Sequence, residues 1–170
     1  MDAPYPPPYP LLFETIPPVM DGSVQRALDV AGGLGQNGLW LAEQGYVVDV
    51  LDISRVALTR AQDEVNRRHL RRVNLLRADL DNADIPANTY AVLCVCFYLN
   101  RSLLSKLRAC VVSGGRAVYV AHNRRYLRVK PDANPDYLLE VGELAGYFAD
   151  WQILHNTEDS HTSHIVAMKP

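Results

Sequence analysis

The chain has 170 residues, 48% hydrophobic and 21% charged, with 17 basic against 19 acidic side chains. That composition excludes a disordered chain and supports one buried core, while the near-neutral charge gives no global attraction to nucleic acid or an anionic membrane. No basic-then-apolar leader and no run of about 18 apolar residues occurs, so a soluble, cytoplasmic protein is expected.

Seven of the eleven prolines fall in residues 1–22, beginning PYPPPYP. Proline fixes φ and lacks an amide donor, so this arm is expected to hold neither a helix nor a central strand. It reads as an extended arm over the domain, anchored by Tyr5, Tyr9 and Phe13, or as a polyproline ligand for a partner. The domain proper is placed at 23–170. Arg26–Val30 is a first strand, Gln36–Gln44 a helix closed by Gly45, and Val47–Leu51 a second strand. Ser54 caps a helix over 55–66 whose Leu58, Ala61 and Val65 share a face. Residues 74–77 form a third strand. The almost wholly apolar YAVLCVCFY, 90–98, is a fourth, as a parallel strand covered on both faces should be. Ser102 is expected to cap a helix carrying Leu103, Leu107 and Cys110, and Gly114–Gly115 to turn the chain into a fifth strand, RAVYVAH. Val141, Leu144, Ala145 and Phe148 make a helical stripe. Strands near 151–156 and 164–169 follow with no helix between them and must pair antiparallel. The result is an α/β, Rossmann-like, open seven-stranded mostly parallel sheet with helices on both faces and a C-terminal antiparallel hairpin.

Ligands of such sheets sit beyond the carboxyl ends of the strands. The first strand leads into DVAGGLGQNG, in which Gly33, Gly35 and Gly38 spell G-x-G-x-x-G, suited to a dinucleotide or to another adenosine-bearing cofactor. Asp29 weighs between the two. A carboxylate at the loop entrance repels a pyrophosphate and attracts a cationic ammonium or sulfonium, both of which S-adenosylmethionine carries. Asp52, ending the second strand about 20 residues beyond Gly33, can accept both ribose hydroxyls. Asp49 is the rival, read as a solvent-side or helix-facing polar residue. Asp79, after the third strand, can accept the adenine amine beside an apolar Leu80; a turn or cap role is its structural alternative.

These residues resemble the class I S-adenosylmethionine-dependent methyltransferases, and within them the short bacterial enzymes related to the tellurite-resistance methyltransferases. The resemblance runs from about Arg26 to the C-terminus. It is carried by LDVAGGLGQNGLWLA, VDVLDIS, RADL, VLCVCFYLNRSLL, SGGRAVYV, NPDYLLEVGEL and HIVAMKP. Gly32 departs from it, since many relatives carry Cys or another small residue there. The resemblance implies S-adenosylmethionine as cofactor, with Asp29, Ala31, Gly32, Gly33 and Gly35 around its methionine part. It implies Asp52 and Ile53 at the ribose, Asp79 and Leu80 at the adenine, and Cys96 beside the cofactor.

Methyl transfer from a sulfonium is an in-line displacement that oriented proximity can largely supply, so no catalytic dyad is required. Substrate-facing candidates stand at the ends of strands four and five: Tyr98, Asn100, Arg101 and His122, with Asn123 and Tyr126 beyond. His122 is a proton acceptor near neutral pH or a strand-end histidine bonded to backbone. The expected partner is a small-molecule methyl acceptor, with no nucleic acid, membrane or metal. The basic NRRHLRRVN, 66–74, lacks interleaved aromatics and reads as a helix end complementing its dipole. His161 and His164 read as part of a polar turn, and Cys94, Cys96 and Cys110 as plain buried or pocket-lining thiols. Two other functions compete: an NAD(P)-binding oxidoreductase, and a non-catalytic cofactor-binding module acting through the proline-rich arm.

Overall fold

A computed structural model describes residues 4–170. Seven strands make up the sheet. The chain divides into two compact units, residues 1–84 and 85–170.

In the first unit β1 (Arg26–Val30), β2 (Val47–Asp52) and β3 (Val73–Arg77) run parallel, with Asp29 opposite Val50 and Asp52 opposite Arg77. Four of the five β1 residues and the central four of β2 are buried, as the unbroken apolar pattern requires. Helix α2 (Gln36–Glu43) starts from left-handed Gly35, and the left-handed Gly45 lies just past its end. Helix α3 (Arg55–Arg67) is capped by the Ser54 side chain, which accepts from the Ala57 N–H, and buries Leu58, Ala61 and Val65. Glu64 also lies on its buried face. It is held there by Arg67 and Arg68, with N–O distances of 2.5 to 2.7 Å. Two cations of the basic run 66–74, Arg67 and Arg68, are thus engaged with Glu64. Of the two positions expected for Asp49, solvent-side or helix-facing, the first is ruled out. Asp49 is buried, not solvent-side, because it accepts from Arg26 at 2.5 Å and from Asn74 at 2.7 Å.

The proline-rich segment also corrects the sequence reading, since it contains a helix, α1 (Leu11–Thr15). The helix occupies the only long proline-free stretch of the segment. Pro10 starts it with φ already near the helical value, and Pro17 follows its end. Leu11, Leu12 and Ile16 are buried. The segment runs alongside α2. The Tyr9 N–H donates to Asn37 Oδ1 at 2.8 Å, Phe13 meets Trp40 edge to face at 5.1 Å, and Tyr46 donates its hydroxyl to the Pro17 carbonyl.

In the second unit β4 (Tyr90–Cys96) and β5 (Val111–His122) are parallel, β7 (Thr162–Met168) is antiparallel to β5, and β6 (Gln152–Glu158) is antiparallel to β7. The terminal hairpin is therefore as expected. β4 is shorter than its apolar run, because Phe97 turns left-handed at φ 61°. β5 starts earlier than expected, since the Gly114–Gly115 turn is a bulge within it: Tyr90 faces Val111, but Val92 faces Arg116. Helix α4 (Leu104–Cys110) follows a 3-10 turn whose cap is Asn100, not Ser102; the Asn100 side chain accepts from the Ser102 N–H. Helix α5 is the short Glu143–Tyr147. No helix among the described residues is long and apolar enough to cross a membrane.

Candidate functional site

Between β1 and α2 the backbone is left-handed at Ala31, Gly33 and Gly35, with φ of 52°, 56° and 79°. At Gly33 it is this conformation that favours glycine, for a Cβ there would meet nothing within 4 Å. Gly32 is required for a different reason. A Cβ would stand 2.6 Å from Val50 Cγ1 and 2.8 Å from Asp29 Oδ2. Gly38 is equally confined, 2.6 Å from Val50 Cγ2, which lets α2 lie close against β2. The spaced glycines thus divide their tasks between backbone shape and close packing.

Asp29 is only 1% exposed, and its Oδ2 accepts from the Gly38 N–H at 2.9 Å. Its carboxylate therefore meets the electropositive start of α2. Asp52 ends β2 half-buried. Its Oδ2 accepts from the Gly33 N–H and its Oδ1 from the Ser54 N–H, both at 2.8 Å. One carboxylate thereby ties the glycine loop to the start of α3. Ile53 beside it is exposed. Asp79 follows β3 at the surface, where it closes a turn: Oδ1 accepts from the Asp81 N–H at 3.1 Å and Oδ2 from Asn82 Nδ2 at 2.8 Å. Leu80 is buried behind it. The arm reaches this loop as well. The Tyr5 hydroxyl donates to the Leu34 carbonyl, and the Arg68 guanidinium lies 5.3 Å from the Tyr5 ring. Burial, with the nearby Glu64 charge next, pushes the Tyr5 hydroxyl up to about 12. Residue spacing within the loop did not reveal this contact; only the aromatic spacing of the arm hinted at it.

The second unit gathers the other candidates. Cys96 ends β4 half-buried, with its sulfur 3.9 Å from that of Cys94, so both thiols share one face as the alternation implied. Phe97, Tyr98, Leu99, Ala121, His122 and Tyr137 line a cavity of about 330 Å³. His122 ends β5 and stacks on Tyr126, with ring centroids 3.9 Å apart and planes 7° from parallel. Burial lowers its pKa below the ordinary histidine value. Tyr98 and His122 thus share the cavity, whereas Asn100 and Arg101 do not line it. Asn100 is a cap whose amide also reaches the Tyr98 hydroxyl at 3.5 Å. Arg101 grips Glu143 through two nitrogens, at 2.6 and 2.9 Å, and donates to the Asp136 and Leu138 carbonyls. Its pKa is raised, first by that hydrogen bond to Glu143. Arg101 is a pin for residues 136–143. In the segment after β5, Arg124 pairs with Glu140 and Arg125 donates to the Asp159 carbonyl. His164 lies on β7, bonded to Thr162 and 3.4 Å from Asp159, and no three-residue metal cluster occurs among the described residues.

Parallel strands, a terminal antiparallel hairpin and a glycine loop after β1 define a Rossmann-like methyltransferase fold, and solved structures share it. TehB from Haemophilus influenzae superposes with a TM-score of 0.74 at 20% identity over 88% of this chain; the match spans 59% of the TehB chain. An S-adenosylmethionine-dependent methyltransferase from Mesorhizobium loti gives 0.75 at 17% identity, over 94% of this chain and 96% of the other. The [4+2]-cyclase SpnF gives 0.72 at 19% identity, over 94% and 79%. No curated protein sequence matches the chain. The methyltransferase-domain family matches residues 27–115, over half of the length, and the chain belongs to that family.

Proposed function

We propose that this protein is an S-adenosylmethionine-dependent methyltransferase that methylates a small molecule by in-line transfer. The observation that carries the reading is the loop of residues 31–35. Its backbone is left-handed at three alternate positions, open beside Gly33, and latched by its own amide to the carboxylate that ends β2. A sulfonium nucleoside fits that arrangement because it brings positive charge, two vicinal hydroxyls and no phosphate. When bound, it supplies an electrophilic methyl group.

The residues divide the holding. Gly33 and Gly35 present bare backbone to the methionine part, with Ala31 and Gly32 shaping the turn. Asp29 sits behind the loop and acts through its negative field and its grip on Gly38. Each Asp52 oxygen accepts one backbone N–H and keeps lone-pair capacity for a ribose hydroxyl, with Ile53 as apolar cover. Asp79 and Leu80 receive the adenine edge and face. The turn bonds of Asp79 orient its carboxylate and leave it acceptor capacity.

The oxidoreductase alternative is disfavoured by Asp29. A dinucleotide pyrophosphate needs the amides at the start of the helix after β1, and in this chain the Gly38 amide already serves a carboxylate. The cyclase named among the structural neighbours shows that fold alone does not decide the reaction. Calorimetry with S-adenosylhomocysteine and with NADH, followed by release of isotope-labelled methyl to an acceptor panel, tests the reading. Micromolar binding of the first and silence with the second are expected. The reverse result removes the proposal. Binding without methyl release across the panel removes the reaction while keeping the cofactor.

A further inference from the structure

We propose that the cavity at the ends of β4 and β5 takes an uncharged, planar aromatic acceptor bearing a hydroxyl, and that His122 receives the hydroxyl proton. This deepens, and rests on, the methyltransferase reading above.

Four observations converge on it. The lining is aromatic and apolar: Phe97, Tyr98, Tyr137 and the His122 ring, with Leu99 and Ala121. No carboxylate, ammonium or guanidinium belongs to that lining. Arg101, a substrate-facing candidate in the sequence, is bound to Glu143 and two carbonyls. An oxyanion entering this cavity would lose its hydration with no cation to replace it. Secondly, a volume of about 330 Å³ lies at the small end of ligand pockets, which suits one or two fused rings.

Thirdly, Phe97 adopts a left-handed conformation at φ 61° while 51% exposed. A bulky side chain is rarely found there, and such strain collects at ligand clamps. The Phe97 N–H donates to the Val120 carbonyl at 2.7 Å, which fixes the backbone and holds the ring at the cavity wall. Finally, His122 is the one side chain of the lining that titrates near neutral pH. Tyr126 stacks on it, Phe97 stands 5.0 Å from it, and His161 from the β6–β7 turn 5.9 Å. The Tyr98 and Tyr137 hydroxyls are the other titratable groups of the lining. Carboxylates are missing from this set, and burial keeps the imidazole neutral at physiological pH, in the state that accepts a proton.

The step balances without a further reactant. An oxygen lone pair of the acceptor forms the bond to the methyl carbon, and the carbon–sulfur bond breaks with its electron pair remaining on sulfur. The hydroxyl proton passes to the imidazole and from there to solvent.

The test uses the full chain and 2-naphthol as probe, titrated with and without S-adenosylhomocysteine, beside cyclohexanol and selenite. Expected are binding of 2-naphthol, at least tenfold weaker binding of cyclohexanol, and no heat from selenite. Phe97→Gly removes the ring and relieves the left-handed strain, so it should weaken 2-naphthol at least tenfold with Tm held or raised. Tyr137→Ala, at a position 66% exposed, should weaken it without unfolding the chain. His122→Gln should keep 2-naphthol binding within about threefold. It should also abolish the acid-side fall in kcat/KM that is expected of the wild type at a pH below the ordinary histidine value. Selenite binding more tightly than 2-naphthol, or Phe97→Gly and Tyr137→Ala both binding 2-naphthol as the wild type does, overturns the acceptor class. An acid limb that persists in His122→Gln overturns the proton acceptor. The probe is titrated without the homocysteine derivative as well, so failure of the cofactor reading registers separately, as lost S-adenosylhomocysteine heat with intact 2-naphthol heat.

Discussion

Replacing Asp52 by alanine is the sharpest probe of the proposed cofactor site. Its two oxygens accept the Gly33 and Ser54 amides at 2.8 Å. A carboxylate offers about four acceptor directions, so two remain for ribose hydroxyls. Hydrogen bonds to a charged acceptor contribute about 1.5–3 kcal/mol each. Competition with water and the backbone bonds already present place the net loss for the pair near the value for one, so S-adenosylhomocysteine should bind about 10- to 150-fold more weakly. The same change releases Gly33, whose φ of 56° is held in part by that carboxylate, so the loop also loses preorganisation. Asp52→Asn keeps an acceptor oxygen and should fall between alanine and wild type. Calorimetry gives the dissociation constants, and circular dichroism at the same temperature verifies folding. Folded Asp52→Ala with affinity within threefold of wild type refutes the ribose assignment, because no arrangement of two lost ionic hydrogen bonds is that small.

Three further outcomes concern the scaffold. Gly38→Ala should lower unfolding stability by about 1–3 kcal/mol in urea titration, since its Cβ would stand 2.6 Å from Val50 Cγ2 and 3.1 Å from Asp29 Oδ2 in a packed interior. The hydrogen bond from Arg67, opposed by burial and aided by Arg68, lowers the Glu64 carboxyl from 4.5 to about 2. Between those values the unfolded chain binds more protons, so stability present above pH 4.5 should drain away as pH falls toward 2. Glu64→Gln should flatten that slope in thermal melts taken across the window. Arg101→Ala should raise amide exchange in residues 136–143 and leave S-adenosylhomocysteine affinity unchanged, because its guanidinium holds the Asp136 and Leu138 carbonyls and Glu143.

Where local chemistry dictates structure, the sequence could be read directly. Ser54 before an amphipathic run produced a capped α3, and Gly45 after Gln44 closed α2. A linker too short for a crossover made β6 and β7 antiparallel. Asp29 and Asp52 were visible for the same reason, because an acid in an apolar strand run is conspicuous, and Asp79 as a third acid beyond the next strand. What they hold was not visible. Asp29 bonds an amide nine residues on, and Asp52 one nineteen residues back. Residue type alone does not distinguish a carboxylate that grips its own loop from one that faces a ligand. Asp49 shows the same gap: strand parity allowed a solvent-side position, but Arg26 and Asn74 on neighbouring strands neutralise and bury it. Phe97 and Arg101 were illegible for a related reason. A left-handed phenylalanine contradicts its own propensity, and an arginine that looked free at a strand end was claimed by a segment more than 30 residues away.

The arm carries this argument furthest. Seven prolines made it look like a segment without internal structure, yet proline content lowers the entropy lost on ordering as well as forbidding a long helix. A chain stiffened in this way needs only a few anchors to lie in one path. It has them along α2 and just beyond both of its ends: Tyr5 at Leu34, Tyr9 at Asn37, Phe13 at Trp40 and Val19 at Gln44. The first anchor is on the glycine loop, between left-handed Gly33 and Gly35. A loop rich in glycine is entropically costly to hold in one conformation. Here it is restrained from two sides, by the Asp52 carboxylate on the Gly33 amide and by the Tyr5 hydroxyl on the Leu34 carbonyl. The proline-rich arm and the bare loop are complementary in this respect, since the rigidity of one offsets the freedom of the other.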